Sequence, residues 1–143
     1  MSSVRAVVLR GDDVLVFRDR GGRAHVLPGG RREEDEGAEA TLRREVREET
    51  GWEIGALRPL GFIHFHHLTP MPPGYRYPYP DFVWLVYAAE AESNTPDAPI
   101  VDEWVVESAF MPVEEARRLG IERGELHFLE RALRRRPRTR RSG

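Results

Sequence analysis

Three glutamates in the stretch GGRREEDEGAEATLRREVREETGW, residues 29–52, have a spacing that suits metal chemistry. Glu45, Glu48 and Glu49 stand at i, i+3 and i+4. On a helix their carboxylates share one face and repel one another unless positive charge lies among them. Arg44 and Arg47 supply part of that charge. A divalent cation supplies more, because Mg²⁺ and Mn²⁺ take several oxygen ligands. Ahead of the helix, Pro28-Gly29-Gly30 lets the backbone approach closely and can present a carbonyl oxygen. Such a set suits a metal held by protein carboxylates on one side and substrate phosphates on the other. A solvated, salt-bridged helix has the same composition, and composition alone favours that plainer reading.

The surrounding pattern predicts the elements that position these residues. Val4–Arg10 and Val14–Arg18 read as strands about a Gly11-Asp12-Asp13 turn, and Ala24–Leu27 as a short third strand broken by Pro28-Gly29-Gly30. Residues 38–50 read as a helix with Ala38, Leu42 and Val46 as its apolar stripe. Glu39 and Arg43, and Arg44 and Glu48, are i,i+4 opposite-charge pairs. Gly51 ends the helix, and Trp52 packs back on the stripe. Leu60–His67 and Phe82–Ala89 are further strands, and Val101–Val106 a short one. Pro112–Leu119 and Glu125–Arg135 read as helices. Strands around a central helix, with helices at the end, predict a mixed α/β (α+β) fold in which a sheet is layered with helices.

The box from Gly30 to Trp52 resembles the signature of the Nudix hydrolase family. Gly30 is followed after five residues by Glu36, and after seven more by Arg44-Glu45-Val46. Then come Glu48-Glu49, Gly51 and Trp52, so every specified position is filled. The resemblance extends over residues 4–133 and implies a mixed sheet sandwiched between helices. It implies that Glu45, Glu48 and Glu49 bind Mg²⁺, for which Mn²⁺ can substitute, with the Gly29 carbonyl as a further ligand. Glu48 and Glu49 are the leading ligands; Glu45 is ligand or base. Arg44 orients the glutamates through salt bridges. Gly30, Glu36 and Gly51 are structural, Glu36 by capping or by pairing across the loop. The implied reaction is hydrolysis of a pyrophosphate bond in a nucleoside diphosphate linked to another moiety. Many relatives carry an aromatic residue where this chain has His25.

Outside the box the signals are weaker. Asp102-Glu103-Trp104 stands where many members of that family place an acid before a closing helix, so Glu103 is a candidate to complete the metal site or to act as base. A pair of loop acids is the plainer alternative. Arg18, with Arg20 and Arg23, flanks the approach to the box and is a candidate phosphate contact, as His25 is a candidate substrate contact. Tyr75, Tyr77 and Tyr79 alternate in a proline-rich connection over residues 68–81, where Tyr75 and Tyr77 can stack on a base. His64, His66 and His67 are strand-end histidines with no third zinc ligand nearby in sequence. Phe62, Phe65, Trp84 and Tyr87 read as core.

Length and composition bound the alternatives. The chain has 143 residues, 22 basic and 24 acidic, with a net charge of −2. One domain is expected over residues 1–133, followed by a basic tail, 134–143, expected to be disordered. There is no cysteine, which excludes disulfides, thiol catalysis and Cys-ligated zinc. Every basic residue is Arg, so no lysine can form a Schiff base. No apolar run approaches a membrane span, and no long apolar segment follows Met1. The expectation is a cytoplasmic monomer or homodimer acting on a small nucleotide, without a membrane partner. Two alternatives stand beside it. One is removal of pyrophosphate from RNA 5′ ends with the basic tail on the backbone; the other is a non-catalytic nucleotide sensor.

Overall fold

The computed structural model describes residues 3–33, 35–74, 81–94 and 105–137, with only the backbone of Val106. In chain order the elements are β1 (Ser3–Arg10), β2 (Asp13–Asp19), β3 (Ala24–His25), β4 (Gly29–Arg31), α1 (Ala38–Thr50), β5 (Trp52–Ile54), β6 (Arg58–His66), β7 (Asp81–Asn94), β8 (Val105–Pro112), α2 (Val113–Ala116) and α3 (Arg123–Arg134). β1 is apolar without a break from Ala6 to Leu9 because it is central and covered on both faces. It turns into β2 with Leu9 opposite Val14, after which the two strands part. β2 pairs along its length with β8. β1 runs parallel to β7 and antiparallel to β4, from Arg5 opposite Gly29 to Ser3 opposite Arg31. The sheet order is β3-β2-β1-β7-β5, with β6 also on β7. This is a mixed sheet with helices on both faces, as the sequence pattern predicts.

The period-2 alternation of β1 divides the core in two. Val4, Ala6 and Val8 face α1, where they meet Leu42, Val46, Leu15, Ile54 and Ala89. Val7 and Leu9 face α3 and meet Phe128, Leu129 and Ala132, with Val86 and Ala88 from β7. Each helix is therefore fixed in rotation by the residues it buries. Fixing α1 also fixes which of its residues stand beside β4.

Several elements differ from the sequence expectation. β3 stops at His25; Val26 and Leu27 are buried without pairing, and the chain pairs again as β4 through the glycines expected only to break it. Glycine backbone is what permits that pairing, because a Cβ on Gly29 would lie 2.0 Å from the Val4 carbonyl oxygen. Trp52–Ile54 is a strand as well as the return of the helix. β8 continues to Pro112, well past the Val106 expected as its end, because its partner β2 extends that far. α2 is a single turn; Leu119 and Gly120 (φ 72) turn the chain toward α3 instead of prolonging it. Phe62 is 66% exposed and is not core. A register shift between Pro59 and Gly61 sets it beside Leu85, at the outer edge of the sheet. In the stretch expected as a tail, Arg136 is anchored to Glu90 and to the Gly11 carbonyl. Among the described residues no helix is long and apolar enough to cross a membrane.

Leu42 is completely buried and sets the seat of α1. Leu42→Ala is expected to cost about 3 kcal/mol in a urea-denaturation experiment.

Candidate active site

α1 starts at Gly37, which has no side-chain cap, and ends at Gly51 (φ 79), whose N–H donates to the Arg47 carbonyl at 2.8 Å. A positive φ at that position suits glycine, which explains the residue type. With Leu42 and Val46 in the core, Glu49 lies on the flank nearest the sheet and is 1% exposed. The Glu45 side chain is 17% exposed and that of Glu48 37%, so the three carboxylates run from the interior out to solvent.

Arg44 collects the charge around them. Its Nε and Nη2 donate to the two oxygens of Glu36 at 2.8 and 2.9 Å. Its Nη1 donates to Glu45 Oε1 at 3.0 Å and Glu48 Oε2 at 3.1 Å. The planar fork of a guanidinium suits this two-sided arrangement. The Thr41 hydroxyl donates to Glu36 Oε1 at 2.7 Å. Hydrogen bonds from Arg44, then Thr41, pull the Glu36 carboxyl down to about 2. Glu36 thus pairs across the loop and does not cap the helix. Arg44 is held above its ordinary value, chiefly by its hydrogen bonds to Glu36.

The glycines of β4 serve the same cluster. A Cβ on Gly30 would lie 2.5 Å from the Glu45 carboxyl carbon. The Gly29 N–H donates to Glu49 Oε1 at 3.3 Å. Helix carboxylates and strand backbone are therefore in direct contact.

The donor chemistry fits a divalent cation: three carboxylates on one helix face, lying against a glycine backbone. Arg44 and Gly29 hold those carboxylates, and among the described residues no group of three His, Asp or Glu is already arranged to hold a metal ion.

His25 stacks on Phe17 with ring centroids 5.0 Å apart. Its Nδ1 faces Glu125 Oε2 at 2.9 Å and its Nε2 faces Asp19 Oδ2 at 2.8 Å. These partners raise the imidazole above its ordinary value, Glu125 first. Asp19 is lowered in turn, chiefly by His25. Glu125 also accepts the Val26 N–H at 3.0 Å, so the group ties the approach to β4 onto α3. His25 lines a cavity of 390 Å³ with Arg23, Leu119 and Glu122. Arg18 donates to the Gly22 carbonyl at 3.0 Å and pairs with Glu107 at 3.3 Å. Glu103, Tyr75 and Tyr77 lie outside the described residues.

His64 and His66 both face Asp81 Oδ1, at 2.9 and 2.8 Å, and all three are about half exposed. Both histidines lie at the outer end of β6, and His67 just beyond them is half-buried. Sequence reading did not find the partners Asp19, Glu125, Thr41 and Asp81, which lie at the end of β2, on α3, on α1 and at the start of β7. It also passed over Arg5, whose signal was available: a charged residue inside a strand otherwise apolar on both faces.

Fold and box together define a Nudix domain. The chain belongs to this family: the model for the NUDIX domain matches residues 1–132. Among solved structures, a NUDIX hydrolase from Nitrosomonas europaea is 21% identical with a TM-score of 0.74, over 93% of this chain and 88% of that one. The NUDIX domain of Shewanella oneidensis NrtR, in a cocrystal with ADP ribose, is 21% identical with a TM-score of 0.72, over 94% and 87%. The MutT protein of Bacillus halodurans is 20% identical with a TM-score of 0.63, over 90% and 79%. At such identities the likeness is one of fold. None of the curated protein sequences compared matches the chain.

Two outcomes are expected. Gly30→Ala should displace Glu45 and lower kcat by at least about tenfold with little change in helix content, read by assay and circular dichroism. The second concerns pH. A raised imidazole contributes stability fully below its ordinary 6.5, and that contribution is lost as pH rises through the raised value. The denaturant midpoint should therefore fall on the alkaline side of 6.5 in the wild type, and fall less in His25→Gln. The contribution of Glu36 has the opposite sense. It is present above 4.5 and lost as pH drops toward about 2.

Proposed function

We propose that this domain hydrolyses the pyrophosphate bond of a nucleoside diphosphate linked to another moiety. The observation that carries the reading is the complete box folded around Arg44, with Glu45 and Glu48 on one guanidinium nitrogen and Glu49 against β4. Glu45, Glu48 and Glu49, with the Gly29 carbonyl, would hold Mg²⁺ or Mn²⁺. When bound, such an ion lowers the pKa of water and offsets charge on phosphoryl oxygens.

The protein's own share is positioning and electrostatics. Arg44 keeps Glu45 and Glu48 together. Glu36 and Thr41 hold Arg44 in turn. Glu48, the most exposed of the three glutamates, or Glu45 would take the proton of the attacking water, with Glu103 as the alternative base. The His25 group fixes the chain segment that delivers Gly29 and Gly30. Arg18, His25, Tyr75 and Tyr77 are the proposed substrate contacts. The ADP ribose bound by the Shewanella domain supports a nucleotide derivative as ligand. We infer a monomer or homodimer acting in the cytoplasm.

The test is product release from a panel of nucleoside diphosphate derivatives and triphosphates, with Mg²⁺, Mn²⁺ or chelator. Turnover should require the metal, and Glu48→Gln should lower kcat by about 10²-fold or more. Metal-independent turnover, or full activity in Glu48→Gln, would refute the assigned roles. Nucleotide binding without turnover of any substrate would favour the sensor.

A further inference from the structure

On the side of β1 that faces α3, Val7 and Leu9 enter the core. By the same alternation Arg5 and Ser3 continue that side toward the chain's start. Both are polar, and among the described residues both carry a buried polar atom without a partner: the Arg5 Nε and the Ser3 Oγ. Ser3 is only 6% exposed. Arg5 uses its Nη1 on the Leu27 carbonyl at 3.3 Å, and its guanidinium lies over Trp84, 4.4 Å from the ring centroid. Trp84 is the strand neighbour of Ser3 in the parallel pair. Beyond it, Phe65 and Phe82 stack at 4.5 Å and 6°, with Phe65 4.9 Å from Trp84.

A buried polar atom without a partner is costly, so two neighbouring ones call for a common explanation. The Arg5 Nε can only donate and the Ser3 hydroxyl can donate as well, so one acceptor oxygen suits both. The place is informative too. Arg5 pairs in register with Gly29, and the Gly29 N–H is bonded to Glu49. The backbone of Arg5 therefore lies one strand away from the acidic helix, with the two donor side chains on the α3-facing side and the aromatic row of β6 and β7 beyond them. Burial lowers Arg5 from its ordinary value, while Glu49, Glu125 and Glu45 oppose that shift. A cation is thus kept in a largely covered place next to the proposed site of reaction.

We propose that Arg5 and Ser3 bind an acceptor oxygen of the substrate, with Trp84 holding the Arg5 guanidinium in place, and that Arg5 is a specificity-determining residue. The identity of the ligand as a nucleotide rests on the hydrolase reading; the binding role does not require turnover. The oxygen comes either from a phosphate or from a ring carbonyl of the base. Adenine has no ring carbonyl, whereas guanine and uracil have one or more, so ADP, GDP, UDP and pyrophosphate separate the two sources.

Binding is measured by calorimetry in Mg²⁺ buffer on the Glu48→Gln protein, alone and combined with Arg5→Lys, Arg5→Met or Ser3→Ala. Arg5→Met should weaken the best ligand by about tenfold or more, as expected for loss of a charged hydrogen bond. Arg5→Lys keeps charge and stem, and should weaken binding less. Ser3→Ala removes an orphaned hydroxyl, so it should leave the melting temperature unchanged or higher while weakening binding several-fold. A structural role for Ser3 would not produce that opposition. Equal losses for all four ligands identify a phosphate oxygen; losses for GDP and UDP alone identify a ring carbonyl. In the otherwise wild-type protein, Arg5→Lys should raise KM more than it lowers kcat. Unchanged affinity in folded Arg5→Lys and Ser3→Ala proteins, or no binding of any of the four by the parent, would overturn the proposal. Failure of the hydrolase reading shows differently, as absence of turnover with these affinity losses intact.

Discussion

Like charge at close range is the constraint around which the acidic region is built. Glu36, Glu45 and Glu48 bring three carboxylates within 3.1 Å of one guanidinium, and Glu33 approaches it at 3.7 Å. Carboxylates crowded in this way would protonate or swing apart if left alone. Arg44 reverses that tendency, as the low value of Glu36 shows, and keeps an anionic surface assembled. Arg44 is itself fixed, because its Nε and Nη2 are spent on Glu36, which Thr41 also holds. The helix is fixed in rotation by Leu42 and Val46 in the core. Packing thus decides where the carboxylates lie, and the guanidinium holds them together.

β1 connects this cluster to the rest of the molecule. Its α1-facing side supplies the apolar seat of the helix. Its backbone pairs with β4, whose glycines touch Glu45 and Glu49. Its α3-facing side carries Arg5 and Ser3 beside Trp84. One strand therefore serves the proposed chemistry on one face and the proposed recognition on the other. The missing Cβ atoms at Gly29 and Gly30 make the two neighbours of this strand compatible, since ordinary side chains there would collide with Val4 or Glu45.

The His25 group gives the opposite face its own anchor. Asp19 lies at the end of β2, His25 in β3 and Glu125 in the first turn of α3. An imidazole between two carboxylates is stabilised in its charged form, since only then do both nitrogens donate. This couples the position of α3 to the segment that leads into Gly29 and Gly30. The helix that covers the Arg5 side of the sheet and the strand that contacts the glutamates are thereby held to one frame.

Local pattern was enough to read α1, its apolar stripe, its end at Gly51 and the box that assigns the family. All of these depend on residues within a few turns of one another, where spacing dictates geometry. Most strand cores were legible for the same reason, since alternation and β-branched runs are local. Pairing was not. The strand at Gly29–Arg31, the extension of β8 to Pro112 and the exposure of Phe62 depend on a partner distant in sequence and on register. The partners of His25 lie 6 and 100 positions away, and no spacing rule joins His25 to Glu125. Arg5 stood out in the sequence only as a charge in an apolar strand. The sequence by itself determined the family, the acidic helix and its counter-ion, because one helix carries them. Only the tertiary structure decided which backbone lies against the glutamates and which donors are left without partners, because burial and long-range pairing arise when separate strands meet.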